Sequence, residues 1–172
     1  RVLILLPQTD FDPTEVAVPW AVLARAGHEV TFATETGAAA TCDPVTLTGE
    51  GLPRFARSMK ARAENCALYF EMAASPAFQK PLSWARVDVG AFDAFHFPGG
   101  HAPLIDLAKD PEVGTLLRHF HDNHKPTAAI CHGPIALLAA QEHGVRHYFL
   151  EDEAVDAVPQ IRRSLRYLAG LR

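Results

Sequence analysis

The stretch Ala128-Ala129-Ile130-Cys131-His132-Gly133-Pro134 sets how this chain presents its most reactive side chain. The small apolar residues at its start predict a strand, and Pro134 suits the first position of a helix because its missing amide has no partner there. A strand that turns at once into a helix passes through a sharp, strained corner, and the corner side chain is lifted out of the sheet. The stretch therefore predicts a nucleophile elbow with Cys131 at the corner and Gly133 folding tightly behind it.

The helix after the corner is expected to run through Ile135, Leu138 and Ala139. Unpaired amides and the positive end of a helix dipole would then face the sulfur of Cys131 and favour the thiolate, which is the nucleophilic form. The alternative is a buried structural cysteine, which is the commonest role of cysteine in protein cores.

Apolar runs earlier in the chain predict a parallel α/β sheet. The run Val2–Leu6 is apolar throughout and is closed by Pro7, which is typical of a central strand covered on both faces. A helix is expected from Pro13 to Ala26, capped by Asp12, and a second strand from His28 to Ala33. Strand, helix and strand joined by short connections are typical of right-handed parallel crossovers. Further elements are predicted at these positions: strands Phe92–Phe97 and Pro126–Ile130, and a helix from Asp110 to Asp122.

The region from Thr34 to Trp84 is harder to interpret, because it contains several turn signals and one polar stretch. We expect an insertion at about residues 34–84 that folds over the carboxyl edge of the sheet and covers the active edge. The whole chain, 1–172, is expected to form one domain, since nearly half of its residues are apolar and a chain of this length buries about 70% of its unfolded surface.

Composition argues against several classes of function. The formal net charge is −4 and the scattered Arg162, Arg163 and Arg166 form no long basic run, so we expect no nucleic acid partner. Three cysteines without a CxxC pair indicate neither a disulfide framework nor a zinc knuckle, and they favour a reducing, cytoplasmic setting. No apolar stretch reaches about 18 residues, so we expect no membrane insertion.

Three features of the sequence converge on one edge of the expected sheet. Ligands of open parallel sheets bind in the crevice outside the carboxyl ends of the strands. Cys131 follows one strand, the Gly99-Gly100 turn follows another, and Glu15 lies just after the first strand. We therefore expect the site at this edge.

Three motifs at this edge, in order along the chain, resemble those of the ThiJ/PfpI superfamily. They are Phe11-Asp12-Pro13-Thr14-Glu15, Pro98-Gly99-Gly100-His101 and Ala129-Ile130-Cys131-His132-Gly133-Pro134. The Gly-Gly-His turn and the Cys-His-Gly-Pro elbow are similar to the larger branch that includes glyoxalase III and stress chaperones. The resemblance implies a flavodoxin-like fold, a three-layer α/β/α sandwich around a mostly parallel central sheet.

The resemblance also implies roles for individual residues. Cys131 would be the nucleophile, His132 the histidine beside it, and Glu15 the acid that hydrogen-bonds the sulfur. The residues implied to bind an oxyanion or the substrate are Gly99, Gly100, His101 and Gly133. Relatives often supply an acidic partner for the histidine, and the spacing does not choose among the candidates Glu142, Glu151, Asp152 and Glu153.

Elementary electrostatics supports the same roles for Glu15 and His132. A carboxylate beside a thiolate raises the cysteine pKa by like-charge repulsion, so Glu15 should be protonated and should donate a hydrogen bond to sulfur. His132 is expected to act as a general base on a substrate carbon or on water. Each residue also has an alternative role. Glu15 would be an exposed first-turn glutamate and His132 a buried or capping histidine. Gly99-Gly100 would be a plain tight turn and His101 an exposed loop histidine.

Other histidines and thiols are expected to have no role in the chemistry. A metal site is not expected at His119, His121 and His124, because these positions do not share one helix face and two histidines alone rarely hold a metal firmly. Cys42 and Cys66 are expected to be packing or loop thiols. Cys66 could still enter the pocket, because the segment that holds it is expected to cover the active edge.

The resemblance implies a cysteine-dependent enzyme that acts on small reactive carbonyls. The activity would be of the glyoxalase III kind, the conversion of methylglyoxal to lactate without glutathione, a metal or another cofactor, with removal of early glycation adducts, a deglycase activity, as a related outcome. Two alternatives stay open: a cysteine amidase or peptidase of the PfpI type, and a non-catalytic stress chaperone or redox sensor that uses the same cysteine. A homodimer is expected from the resemblance.

Overall fold

In the computed structural model, five parallel strands form one sheet. The structure describes residues 1–54, 60–101, 107 and 110–143. The strands are β1 (Val2–Leu5), β2 (Val30–Thr34), β3 (Leu82–Ser83), β4 (Ala94–Phe97) and β5 (Thr127–Ala129), and their order across the sheet is β3-β2-β1-β4-β5. Every pairing between them is parallel. The expected parallel α/β sheet is confirmed.

Helices occupy the connections between the strands. They are α1 (Pro13–Arg25), α2 (Pro44–Thr48), α3 (Ala63–Ala73), α4 (Pro76–Gln79) and α5 (Pro111–Asp122), and a 3-10 helix follows β5 at Gly133–His143. None of the helices in the described part of the chain is both long and apolar enough to cross a bilayer. All five strands lie in one compact unit, Arg1–Ala140, whereas the unit Gln141–Arg172 lies almost wholly outside the described residues. The expectation of a single domain over 1–172 therefore stays a prediction.

The strand order places a crevice between β1 and β4. From β1 the chain extends the sheet to one side through β2 and β3, and it then returns to the other side of β1 for β4 and β5. A reversal of this kind opens a ligand-binding crevice at the carboxyl ends of the two strands where it occurs. Val2 lies beside both Val30 and Ala94, so β1 is the central strand of the sheet.

Strand β1 is buried on both faces, as its continuous apolar sequence predicts. Leu3 and Leu5 pack into one cluster with aromatic side chains that include Phe95 from β4 and Phe120 from α5. Ile4 belongs to the cluster on the opposite face, to which α1 and α3 contribute. Helices thus cover both faces of the sheet, and the expected three-layer α/β/α class is confirmed.

Aspartates cap the two helices that the sequence marks most clearly. The Asp12 carboxylate accepts the amides of Thr14 at 2.8 Å and Glu15 at 3.2 Å. Asp110 caps α5 in the same way, and Asn123 ends that helix. These contacts satisfy amides that have no partner inside the helix. The cap at Asp12 also fixes the first turn of α1, which carries Glu15.

The segment 34–84 both extends the sheet and reaches its carboxyl edge. Its last element, β3, pairs with β2, where Leu82 lies beside Ala33. Its helix α3 packs against α1. At the start of the segment, Cys42 forms a parallel bridge with Phe11 in the loop after β1. Further along the segment, the rings of Tyr69 in α3 and Phe78 in α4 each lie 6.3 Å, centroid to centroid, from the ring of Phe11 in the first motif.

Replacing Phe120 by alanine should strongly destabilise the protein. The Phe120 ring is fully buried and stacks on Phe95 with a centroid distance of 4.8 Å and an interplanar angle of 13°. Truncation leaves a cavity between α5 and β4, which should lower the free energy of unfolding, measured in urea, by about 3–5 kcal/mol.

Phe70→Ala is the matched control, because the Phe70 side chain is 60% exposed. It should change the free energy of unfolding by less than about 1 kcal/mol. Equal losses in the two variants would contradict this assignment of the core.

Candidate active site

Cys131 occupies a strained corner between β5 and the helix that begins at Gly133. Its backbone φ is +55°, in the left-handed region that residues with side chains rarely adopt. The amide of Gly133 donates to the Ile130 carbonyl at 2.8 Å and closes the turn. A Cβ atom on Gly133 would lie 2.9 Å from the carbonyl oxygens of Phe97 and Pro98, so glycine is required behind the corner. The Cys131 side chain is exposed rather than packed in the core, and its sulfur is open to a ligand.

The carboxyl group of Glu15 is held at the crevice by the loop after β4. Gly99 donates its amide hydrogen to Oε2 of Glu15 at an N–O distance of 2.6 Å. A Cβ atom on Gly99 would lie 2.7 Å from that oxygen, 2.6 Å from the Cβ of Cys131 and 2.7 Å from the amide nitrogen of His132. The three expected catalytic residues therefore surround one glycine, and a larger residue there would displace them.

Glu15 and Cys131 form a coupled pair of acids. Burial raises the pKa of Glu15, and the hydrogen bond from Gly99 opposes this only in part. Burial also raises the pKa of Cys131, and the charge of Glu15 and its hydrogen bond to the thiol raise it further. Because two acids in one crevice resist a second negative charge, they lose their protons in two separate steps. The raised pKa of Glu15 favours the protonated acid that the sequence analysis expects.

The raised pKa of the thiol differs from the expectation that the helix start favours the thiolate. The amides of Gly100 and His132 do lower the pKa of Cys131, but burial and the Glu15 carboxylate outweigh them. The sequence indicates the repulsion from an ionised Glu15 but not the burial of the sulfur, which is the largest effect. The two effects that raise the pKa come from burial of the sulfur and from a carboxyl group on another segment of the chain. The thiolate of Cys131 is therefore easier to form while Glu15 holds its proton.

The ring of His132 is oriented by a backbone carbonyl. Its Nδ1 lies 3.0 Å from the carbonyl oxygen of Gly100 and 3.7 Å from the sulfur of Cys131. Because a carbonyl oxygen only accepts, Nδ1 carries the hydrogen in this contact and Nε2 is left to exchange a proton with a ligand. The candidates for its acidic partner lie outside what the structure describes: the side chain of Glu142, and Glu151, Asp152 and Glu153.

The backbone amides of Gly100 and His132 face the sulfur, where both lower the pKa of the thiol. The amides of the other residues expected to bind an oxyanion are hydrogen-bonded within the protein: Gly99 to Glu15, His101 to Asp10 and Gly133 to Ile130. Gly99 and Gly133 thus shape the site but have no free amide for an oxyanion. His101 has no free amide either, and only its side chain is available to a ligand. Two candidate oxyanion donors remain, the amides of Gly100 and His132.

His101 contacts a carboxylate that sequence reasoning missed. Its Nδ1 lies 3.2 Å from Oδ2 of Asp43, a residue that is only 6% exposed. The other carboxylate oxygen accepts the amide of Val45 at 2.8 Å and so caps α2. The sequence offers a signal for the cap alone, because an aspartate before Pro44 is typical of a helix start.

His96 is a second residue that the sequence analysis did not single out. It lies on β4, is 7% exposed, and places Nε2 3.0 Å from the backbone carbonyl oxygen of Glu15. Burial lowers the pKa of His96, so the neutral ring donates a hydrogen bond from Nε2 to that carbonyl. The contact ties β4 to the first turn of α1. A lone histidine in an apolar strand gives no signal of this role.

Comparison with known proteins places this arrangement in a family. A family model described as ThiJ/PfpI family-like matches residues 6–168. The chain belongs to the ThiJ/PfpI family. It is 30% identical over 149 residues to the protein/nucleic acid deglycase of Pseudomonas aeruginosa, a match that spans 86% of this chain and 48% of that protein. It is 26% identical over 160 residues to a deglycase of Pyrococcus horikoshii, a match that spans 90% of this chain and 77% of that protein.

The ThiJ/PfpI fold is also shared with a solved structure. The crystal structure of glyoxalase III from Candida albicans superposes with a TM-score of 0.59 at 20% identity, over 80% of this chain and 59% of that one. This likeness concerns the fold alone. The chain spans about half or less of the length of several curated relatives that it matches, as with the Pseudomonas protein, of which it covers 48%.

The other two cysteines of this ThiJ/PfpI chain have partners of their own. Cys42 is buried and is hydrogen-bonded to Tyr69, and burial raises the pKa of the Cys42 thiol. Cys66 directs its thiol at the carbonyl oxygen of Leu47, 3.5 Å away, in the segment between β2 and β3. Among the residues that the structure describes, no group of three or more histidine, cysteine, aspartate or glutamate side chains is arranged to hold a metal ion.

Glu15→Gln should lower the pKa of the Cys131 thiol. The substitution removes the carboxylate charge that raises this pKa and keeps an oxygen that can accept the Gly99 amide. The rate of alkylation of Cys131 by iodoacetamide, followed by peptide mass spectrometry as a function of pH, should have its midpoint at lower pH than in the wild-type protein.

Glu112→Gln changes the first-turn glutamate of α5 and serves as the matched control. Its alkylation midpoint should equal that of the wild-type protein. An unchanged or higher midpoint in Glu15→Gln would contradict the coupling between the carboxyl and the thiol.

Acidification should destabilise the protein through His96. Because burial lowers the pKa of His96 below its ordinary value of 6.5, the unfolded state binds this proton more readily than the folded state does. The contribution of His96 to stability is complete above pH 6.5 and is lost as the pH falls from that value through the lowered pKa. Glu15 acts in the opposite sense: its contribution is complete below pH 4.5 and is lost as the pH rises through its raised pKa.

Urea unfolding of His96→Gln should therefore show a smaller loss of stability than the wild-type protein between about pH 7.5 and about pH 5.5. Glutamine keeps a donor for the Glu15 carbonyl but does not titrate. His28→Gln, which alters an exposed imidazole, is the control. The same pH dependence in His96→Gln and in the wild-type protein would argue against a buried neutral ring.

Proposed function

We propose that this ThiJ/PfpI protein is a cysteine-dependent enzyme for small reactive carbonyls, with glyoxalase III-like conversion of methylglyoxal to lactate as its leading activity. The observation that carries the proposal is the exposed sulfur of Cys131 at a strained corner, with the Glu15 carboxyl, the His132 ring and two backbone amides around it. These groups can act as nucleophile, acid, base and oxyanion donors. The proposed reaction uses neither glutathione nor a metal.

The first step is addition of the Cys131 sulfur to the aldehyde carbon. A carbon–sulfur bond forms, the π electrons of the carbonyl move to its oxygen, and that oxygen takes the proton of Glu15. The product is a hemithioacetal. The raised pKa of Glu15 suits this step, because it keeps a proton available to the new hydroxyl group.

In the second step, His132 moves a proton between the two carbons. Its Nε2 takes the hydrogen of the former aldehyde carbon, and the electrons form an enediolate whose oxygen lies against the amides of Gly100 and His132. The proton then passes to the neighbouring carbon, the oxygen of that carbon takes a proton from water at the site, and Glu15 recovers the hydroxyl proton of the former aldehyde carbon, which gives a lactoyl thioester. Water cleaves the thioester, releasing lactate and regenerating the sulfur of Cys131.

The names of relatives support the same class of chemistry. The Pseudomonas and Pyrococcus relatives are named deglycases, and a relative from Schizosaccharomyces pombe, 27% identical over 123 residues, is named a glutathione-independent glyoxalase. That match spans 72% of this chain and 47% of the yeast protein. Because deglycation and the glyoxalase reaction share the hemithioacetal, we propose deglycase activity as the related outcome.

Wild-type protein should form lactate from methylglyoxal without added glutathione. Cys131→Ala removes the nucleophile and should lower kcat/KM by at least about 1000-fold. Cys66→Ala is the matched control, because this half-buried thiol contacts the Leu47 carbonyl in another part of the fold. It should leave kcat/KM within about twofold of the wild-type value.

Absence of lactate with the wild-type protein, or full activity in Cys131→Ala, would contradict the proposal. An acyl-enzyme mass on Cys131 after incubation with amides or peptides would instead favour an amidase or peptidase. Oxidation of Cys131 without turnover of any of these substrates would favour a chaperone or redox sensor.

A further inference from the structure

A buried carboxylate lies beneath one histidine at the edge of the site. Asp43 is 6% exposed, yet both of its oxygens have partners: the Val45 amide at 2.8 Å and Nδ1 of His101 at 3.2 Å. The His101 side chain is 75% exposed. Burying a carboxylate costs free energy unless hydrogen bonds satisfy it. The helix cap needs only one of the two oxygens, so the second is available to hold the exposed ring.

The backbone brings this pair next to the site. Phe11 forms a parallel bridge with Cys42 and an antiparallel bridge with Gly100, so the residues that precede Asp43 and His101 flank the same strand-like segment. Gly100 also provides the carbonyl that orients His132 and an amide that faces the sulfur of Cys131. His101 therefore directly follows the residue whose amide faces Cys131 and whose carbonyl orients His132.

The contact with Asp43 selects which nitrogen of His101 can react. The carboxylate accepts the hydrogen on Nδ1 whether the ring is neutral or protonated, so Nε2 is the nitrogen that exchanges its proton. A carboxylate that holds a histidine in this way fixes both the tautomer and the orientation of the ring. An exposed loop histidine with no function would gain nothing from a buried carboxylate at this position.

We propose that His101 is a second acid–base catalytic residue of the site and that Asp43 is its positioning residue, an inference that rests on the proposed glyoxalase function. While His132 removes the hydrogen from the first carbon, His101 gives the proton on Nε2 to the oxygen of the second carbon, which becomes the hydroxyl group of lactate. Nε2 of His101 then takes a proton from the water that cleaves the thioester, and the ring returns to its protonated form. Each proton that His101 donates is thus recovered within one turnover.

Asp43→Asn tests the positioning role and keeps the helix cap. Asparagine is as good a cap as aspartate, so its oxygen can still accept the Val45 amide. Its amide group then donates to Nδ1, which should move the hydrogen of the neutral His101 ring to Nε2. Long-range nitrogen–proton NMR spectra of the imidazole rings should show this change of tautomer without any substrate. Asp88→Asn, at another capping aspartate, should leave the His101 spectrum unchanged.

Methylglyoxal turnover tests the catalytic role. Asp43→Asn and His101→Gln should each lower kcat by about 100-fold with little change in KM, and the double variant should be no slower than His101→Gln alone. Alkylation of Cys131 should keep its wild-type pH midpoint in all three variants. Single-variant values of kcat within about twofold of the wild-type value, or losses that multiply in the double variant, would overturn the proposal.

The two proposals fail differently. Active wild-type protein with active His101→Gln overturns the role of His101 and leaves the glyoxalase function standing. Wild-type protein that forms no lactate overturns both. An unchanged His101 tautomer in Asp43→Asn overturns the positioning role of Asp43 whatever the activity.

Discussion

The short hydrogen bond from the Gly99 amide to the Glu15 carboxyl joins the loop after β4 to the first turn of α1. This contact exists only because residue 99 has no side chain, since a Cβ atom there would overlap Glu15, Cys131 and the backbone of His132 at once. Three segments of the chain therefore meet at one peptide group, and their spacing is set by backbone contact rather than by adaptable side chains. Such fixed spacing allows an acid and a nucleophile to act on the same small ligand.

The chemical consequence of this geometry is the coupling between two acids, the Glu15 carboxyl and the Cys131 thiol. Without Glu15, the thiol of Cys131 would lose its proton more easily, because the carboxylate charge that raises its pKa would be absent. Burial raises the pKa of both groups, and the Glu15 carboxylate raises the pKa of Cys131 further, so the two protons are lost in separate steps. In the reaction that we propose, the form with a thiolate and a protonated carboxyl attacks the carbonyl carbon and protonates the oxygen that results. Burial disfavours a second negative charge, so it favours states in which at least one of the two groups keeps its proton.

The sequence predicted the fold far better than the details of the site. Continuous apolar runs and capping aspartates such as Asp12 gave the central strands, α1 and α5, because these signals are local. The two-residue strand β3 has no such signal, since it is too short to show a period. The contacts of His101 with Asp43 and of His96 with Glu15 join residues 58 and 81 positions apart, so they arise only when the chain has folded. The raised pKa of the Cys131 thiol depends on its burial and on the distance of Glu15 from the sulfur, and the sequence shows neither.

The conformation of Gly100 links these separate contacts. Its φ of +103° is open to glycine and strained for other residues, and it turns the amide of Gly100 towards the sulfur of Cys131 and the carbonyl towards Nδ1 of His132. A Cβ atom on Gly100 would lie 2.6 Å from the carbonyl oxygen of Asp10 and 2.7 Å from the amide nitrogen of Asp12, so the loop after β1 packs directly on this residue. Cys131 and His132 therefore contact the two peptide groups that flank the Cα atom of Gly100, and the loop that leads into α1 packs on both. A change that moves this loop should therefore disturb the proposed nucleophile and the proposed base together, even where the side chains of the loop do not touch a ligand.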